Sequence, residues 1–332
     1  MSPDPSDRAV APAAGWRPAP FGRLPAESGG FPAPYRPRPR RRRWVPFALF
    51  AATVLTTTYF GYGMYAAFVG GAAGASEPAS WLHGAWYSVT ILAILGTHEM
   101  GHYCACRYYG IDASVPYFLP APAITGTFGA FIRIRQRIPT KPMLFDIGAA
   151  GPIAGFVVAV PALFAGLSLS RVTPAQPALD EATLIYLGEP LLFQAAAWSI
   201  LGDVPPGHTL NLHPMGFAAW FGLLATALNL FPIGQLDGGH ISYAALGSRS
   251  TAVTVGGIAL LAVLSVFSLA WIPWTVLLLA TLLAFGPRHP RTLDDAVPLD
   301  RPRRLAALGT AVIFALCFTP TPIVISTGAP PA

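Results

Sequence analysis

Two histidines and a glutamate within five residues could form a metal site. They lie in the stretch His98-Glu99-Met100-Gly101-His102. On a helix, side chains four residues apart project from the same face, so both imidazoles can reach one ion while Glu99 lies beside them. This spacing is typical of zinc hydrolases, in which the carboxylate acts as the general base that activates water. The stretch therefore predicts a catalytic zinc site with Glu99 as its base.

A catalytic zinc ion usually takes three protein ligands and leaves a fourth position for water. Asp237 is the best third ligand, and it lies in the run Asn229-Leu230-Phe231-Pro232-Ile233-Gly234-Gln235-Leu236-Asp237-Gly238-Gly239-His240. Its Pro and Gly residues break a helix, and non-helical backbone at membrane depth must be buried or line a watery cavity. The alternative is that Asp237 only caps a helix. We expect one Zn²⁺ per chain, held by His98, His102 and Asp237.

Two further polar residues of this run have two interpretations each. Asn229 is a candidate catalytic residue that donates a hydrogen bond to the substrate backbone or to the oxyanion, or it ties two helices together. His240 either orients Asp237 or makes a helix-facing hydrogen bond. The remaining histidines fall in loops or at interfaces and are not expected to be ligands: His83, His208, His213 and His289.

The composition indicates an integral membrane protein. Of 332 residues, 53% are hydrophobic and only 11% are charged. The net charge is +6, but much of the positive charge lies in the first 43 residues, so a nucleic-acid-binding face is not expected. The three cysteines form no regular framework and are expected to be free thiols.

The sequence predicts an all-α polytopic protein with about seven transmembrane helices. The predicted spans are 44–69, 81–109, 143–170, 214–246, 251–270, 272–285 and 305–325. Residues 272–285 are separated from the preceding span because Trp271-Ile272-Pro273-Trp274 is typical of an interfacial turn. Between the spans, Val115 to Ile138 predicts a β-hairpin, and Leu184 to Leu201 predicts an interfacial or re-entrant helix.

The distribution of basic residues predicts the orientation. With seven spans and the N-terminus in the cytoplasm, every Lys and Arg except Arg171 lies on the cytoplasmic side. The second and fourth spans then both run toward the cytoplasm, which brings His98, His102 and Asp237 to similar depth. The Ala-, Pro- and Arg-rich composition favours a bacterial plasma membrane, with a chloroplast membrane as the alternative.

We expect three regions along the chain. Residues 1–43 form a disordered basic cytoplasmic tail whose arginine run could contact anionic lipid headgroups. Residues 44–325 form the transmembrane domain, with a catalytic core at about 81–246. Residues 326–332 are a short C-terminal tail.

Three motifs together give the chain a specific resemblance. The segments His98 to His102, Gly151-Pro152-Ile153-Ala154-Gly155 and Asn229 to His240 resemble those of the site-2 proteases, which are intramembrane zinc metalloproteases. The resemblance covers roughly Thr90 to Leu246 and is strongest to the bacterial and chloroplast branch without a PDZ domain. It implies that Val115 to Ile138 is a membrane-associated β-hairpin that guides an extended substrate.

The resemblance also implies a function. The expected reaction is hydrolysis of a peptide bond in or near a transmembrane segment of another membrane protein, such as a trimmed anti-sigma factor, in regulated intramembrane proteolysis. A metal-binding transporter and a non-catalytic scaffold are the alternatives. Glu99 favours the enzyme, because a transporter needs no general base beside its ligands.

Overall fold

The computed structural model describes residues 44–70, 79–122, 125–174, 184–286 and 289–326. The predicted tail at 1–43 and residues 327–332 lie outside this range. Within the described residues the chain is mostly helical, and three helical stretches are long and apolar enough to cross a membrane. They are α1 (Val45–Gly70), α3 (Lys141–Ser168) and the stretch Asp237–Phe267.

The other helices follow the predicted apolar stretches. They are α2 (Ala85–Tyr108), α4 (Leu191–Leu201), α5 (Pro214–Leu230), α8 (Ile272–Phe285) and α9 (Arg301–Cys317), while the stretch Asp237–Phe267 consists of α6 (Asp237–Leu246) and α7 (Ser250–Phe267). A proline stands in the first turn of α3, α5, α8 and α9, where a backbone N–H would have no partner within the helix. The break between α7 and α8 confirms that the long apolar stretch is divided before Ile272.

In the part of the chain that the structure describes, three antiparallel two-stranded sheets connect the helices. β1 (Tyr117–Pro120) pairs with β2 (Thr127–Phe131), β3 (Arg171–Pro174) with β5 (His208–Asn211), and β4 (Leu184–Leu187) with β6 (Ile323–Ser326). The β1–β2 pair lies within the interval where a hairpin was predicted. It packs against α1, where the rings of Phe50 and Phe118 meet edge to face at 5.0 Å.

Two helix predictions were wrong at their ends, and proline explains both. The predicted helix at 184–201 begins instead with strand β4, and α4 starts only after Pro190. The predicted last span ends early, because Pro320 and Pro322 follow α9 and cannot continue a helix; the chain then enters β6.

The predicted fourth span is two helices. α5 ends at Leu230, and α6 begins at Asp237 itself. Between them, Pro232 lacks an N–H and Gly234 takes a φ of +55°, a conformation that favours glycine. The break therefore precedes Asp237 and places it at the start of a new helix.

Helix α3 lies at the centre of the structure and packs against α2, α5 and α6. Small residues permit the close approach: a Cβ on Gly101 of α2 would lie 2.4 Å from the Ala150 carbonyl oxygen of α3. The largest buried apolar cluster lies between α3, α4 and α5 and includes Leu163, Trp220 and Leu223. Its packing fixes α3 as the wall against which the other helices are placed.

An ion pair joins α9 to α3. The Arg303 guanidinium donates to both carboxylate oxygens of Asp146, at 2.9 and 2.7 Å. The hydroxyl of Tyr109, just after α2, donates to the same carboxylate. Because the guanidinium binds both carboxylate oxygens, the ion pair fixes the orientation of α9 relative to α3 as well as the distance between them.

Candidate metal centre

Three side chains converge on one point in the structure. The Nε2 atoms of His98 and His102 lie 3.1 Å apart, and Asp237 Oδ2 lies 3.2 and 3.3 Å from them respectively. Four ligands arranged tetrahedrally at about 2.1 Å from a zinc ion are about 3.4 Å apart. The three atoms therefore fit one face of a zinc coordination tetrahedron and leave its fourth corner open.

The helical periodicity of α2 places two of these three side chains next to each other. His98 and His102 are one turn apart on its buried face, at 5% and 7% exposure. Asp237 comes from α6, more than a hundred residues later in the sequence, and both helices meet α3. The structure thus brings together the three residues that the sequence singled out.

Glycines of α3 make room for the site. A Cβ on Gly151 would lie 2.1 Å from His102 Nε2, and one on Gly155 would lie 3.1 Å from His98 Cβ. One turn earlier, a Cβ on Gly148 would lie 3.0 Å from His240 Cβ. The glycine motif in α3 therefore lets this helix form one wall of the centre.

A backbone carbonyl orients one of the imidazoles. His102 Nδ1 lies 2.7 Å from the Ile147 carbonyl oxygen, which can only accept, so Nδ1 donates and Nε2 keeps its lone pair for an ion. Ile147 was not among the predicted site residues. Nothing in the sequence identified it, because the contact uses a main-chain atom of another helix.

Glycines also build the first turn of α6. A Cβ on Gly238 would lie 2.0 Å from the Leu230 carbonyl oxygen, and one on Gly239 would lie 2.3 Å from that of Gly234. The connecting loop can therefore fold tightly against the helix that it precedes. Asp237 is held at the point where loop and helix meet.

The remaining predicted residues lie around the three ligand candidates. Glu99 is buried at 7% exposure, and its helix, α2, packs against strand β2. The Asn229 amide nitrogen lies 3.3 Å from His98 Nε2. The His240 ring shares a hydrogen bond with His289, at 2.6 Å.

This arrangement has the parts for metal-assisted hydrolysis. Within the described residues it is the one group of three or more His, Cys, Asp or Glu whose ligand atoms are close enough to share an ion. Two imidazoles and a carboxylate suit zinc, and Glu99 adds a carboxylate outside the triangle. A divalent ion could bind here and still leave a position and a base for water.

Several known proteins are similar in sequence to this chain. A probable zinc metalloprotease, EGY2 of Arabidopsis thaliana, is 34% identical over 67% of this chain and 38% of its own length. EGY1 of Arabidopsis thaliana is 34% identical over 50% of this chain and 30% of its own. EGY3 of Oryza sativa subsp. japonica is 31% identical over 69% of this chain and 41% of its own length. EGY1 and EGY3 are also named probable zinc metalloproteases. The chain thus spans about two fifths or less of the length of these relatives.

A family match agrees with the motifs and with the geometry. Residues 86–270, more than half of the chain, match peptidase family M50, and these residues include the two histidines of α2, the glycine motif of α3 and Asp237. The resemblance to site-2 proteases is therefore confirmed. The chain belongs to peptidase family M50.

Proposed function

We propose that this protein is an intramembrane zinc metalloprotease that hydrolyses a peptide bond in or near a transmembrane segment of a membrane-protein substrate. The triangle of His98 Nε2, His102 Nε2 and Asp237 Oδ2, with edges of 3.1 to 3.3 Å, carries this proposal. Membership in peptidase family M50 and the relatives named probable zinc metalloproteases support it.

Each residue of the centre has a separate task. His98, His102 and Asp237 hold one Zn²⁺. When bound, zinc polarises the scissile carbonyl and lowers the pKa of a water molecule. Glu99 accepts the proton of the attacking water and passes it to the leaving amine. Because Glu99 is 7% exposed, bulk water does not compete for this proton transfer.

Asn229 acts on the substrate. Its amide lies 3.3 Å from His98 Nε2, at the edge of the triangle. From there the amide N–H donates to the substrate carbonyl oxygen, and this bond strengthens as negative charge develops on that oxygen.

The centre lies within a seven-span domain of residues 44–325, with a catalytic core at about 81–246. The break between α7 and α8 and the basic residues on one side support this topology, with the N-terminus in the cytoplasm. The Ala-, Pro- and Arg-rich composition favours a bacterial plasma membrane over the alternative, a chloroplast membrane. The arginine run in the tail at 1–43 offers positive charge that could attract anionic lipid headgroups.

The β1–β2 sheet guides the substrate at the membrane. Strand β2 packs against α2, the helix that carries Glu99, so the sheet lies beside the helix of the proposed base. An extended peptide that added a strand to this sheet would run close to that helix. The sheet therefore provides a path from the membrane to the site.

The test compares the wild type with Glu99→Gln in lipid vesicles, by zinc content and by cleavage of a transmembrane test substrate. Glu99→Gln should keep one zinc per chain but lose about 10²-fold or more in cleavage rate. Glu189→Gln, an exposed glutamate, is the matched control and should behave as wild type.

The outcomes separate the alternatives. If the wild type and Glu99→Gln both bind zinc and neither cuts, transport or a scaffold role replaces proteolysis. If neither protein binds zinc, the assignment of the metal centre is wrong.

A further inference from the structure

The segment between α8 and α9 is fastened to the start of α3. Residues 289–296, here called the strap, run beside Thr140 in a short parallel bridge, and the Asp294 N–H donates to the Pro139 carbonyl at 2.8 Å. Lys141 Nζ donates to the Asp295 carbonyl, also at 2.8 Å. One side of the strap is therefore tied to the helix that forms a wall of the metal centre.

The other side of the strap contacts α6. The His289 ring stacks on Tyr243, with ring centroids 4.5 Å apart and planes 17° apart, and its Nε2 lies 2.6 Å from His240 Nδ1. The Tyr243 hydroxyl donates to Asp295 Oδ2 at 2.6 Å. Because His240 and Tyr243 are three residues apart on a helix, both project toward the strap.

The direction of the hydrogen bond between the two imidazoles follows from their neighbours. His289 Nδ1 lies 2.7 Å from the Pro290 carbonyl oxygen, so Nδ1 is the donor there. Burial lowers the pKa of His289, which favours the neutral ring, and its Nε2 is then an acceptor. His240 Nδ1 must therefore donate to His289.

His240 belongs to the same turn as Asp237. Its backbone N–H donates to the Leu236 carbonyl at 3.0 Å, which closes the first turn of α6 around Asp237. No side chain caps this helix, because its N-cap residue is Leu236. Besides the packing of the connecting loop, contacts made further along α6 therefore hold this turn, and the strap supplies two of them.

Building on the proposed function, we propose that His289 and Tyr243 are positioning residues, through which the strap holds the first turn of α6 so that the Asp237 carboxylate meets the two imidazoles. Neither residue touches the ion or the substrate. Their effect is on metal affinity and on the coordination geometry, as expected for groups that orient a ligand through hydrogen bonds.

The test measures zinc affinity by chelator competition and the visible spectrum of the Co²⁺-loaded protein, using the full chain in detergent. His289→Phe keeps a ring for the stack but removes the bond to His240, and zinc affinity should fall about tenfold, with a changed Co²⁺ spectrum. His289→Gln can again place a polar atom near His240 and should recover most of the affinity.

A matched control is available elsewhere in the chain. His83 stacks on Tyr65, with centroids 4.2 Å apart and planes 3° apart, before α2 begins. His83→Phe should leave both the zinc affinity and the Co²⁺ spectrum unchanged. Should His289→Phe fail to fold, Tyr243→Phe tests the same point, because it removes only the hydroxyl that binds Asp295.

Wild-type affinity and an unchanged Co²⁺ spectrum in His289→Phe, or in Tyr243→Phe if that variant has to be used, would overturn the positioning role. The proposed function would stand in that case, provided that the wild type binds zinc and cleaves. A wild-type chain that binds no zinc would overturn both proposals, since no ligand would then need positioning.

Discussion

Gly151 of α3 lies directly against the imidazole of His102, so that a Cβ at position 151 would stand 2.1 Å from Nε2. A substitution at this contact can show whether the glycine motif only serves helix packing or also shapes the candidate metal centre. In a helix interior, replacing Gly by Ala normally stabilises by about 1 kcal/mol. At Gly151 the added methyl group must instead displace the ring that faces Asp237.

Gly151→Ala should therefore lose zinc and cleavage together, because His102 Nε2 can no longer reach the position that it shares with His98 and Asp237. Zinc content of the purified variant checks this. The matched control is Gly256→Ala on α7, where an added Cβ meets nothing within 4 Å. Normal zinc content in Gly151→Ala would mean that the ring and α3 adjust without harm to the centre.

Asn229→Ala should keep zinc and lose about 10²- to 10³-fold in kcat, because a donor to the developing oxyanion is removed. Single-turnover cleavage with measured zinc content checks this. Asn229→Asp tests the donor itself and should be similarly slow. The control is Asn211→Ala, which removes a side-chain hydrogen bond to the carbonyl of Phe68, a residue distant in the sequence. Unchanged turnover in both Asn229 variants would assign this residue to helix packing.

The proposed seven-span topology, with the N-terminus in the cytoplasm, predicts opposite accessibility for two exposed residues. In a chain freed of Cys104, Cys106 and Cys317, Asp203→Cys should react with an impermeant maleimide added outside cells, and Arg135→Cys should react only after the membrane is opened. The reason is that basic segments remain in the cytoplasm. Labelling of both positions from the same side would contradict the assigned orientation.

The sequence was sufficient to predict the elements that carry the candidate metal centre. The four-residue spacing of the histidines in α2 and the helix-breaking residues before Asp237 are local patterns, visible in the sequence itself. The distribution of basic residues predicted that the two segments lie at a common depth in the membrane. The structure accordingly brings His98, His102 and Asp237 within reach of one ion.

Contacts between distant segments could not be predicted in the same way. β4 and β6 are only four residues long and lie far apart in the sequence, so no local pattern indicates their pairing. The His240–His289 bond depends on where a loop returns to α6, and the Ile147 carbonyl carries no side-chain signal. Such contacts arise from tertiary packing, which decides the placement of elements more than local propensity does.

The most direct measurement is the zinc content and zinc X-ray absorption spectrum of the purified chain, with Asp237→Ala and the exposed-site control Asp203→Ala beside it. The wild type and Asp203→Ala should hold one zinc per chain, bound only by nitrogen and oxygen at about 2.0 to 2.1 Å, and Asp237→Ala should lose most of it. Full zinc content with an unchanged spectrum in Asp237→Ala would contradict the proposal that α2 and α6 bind one ion between them.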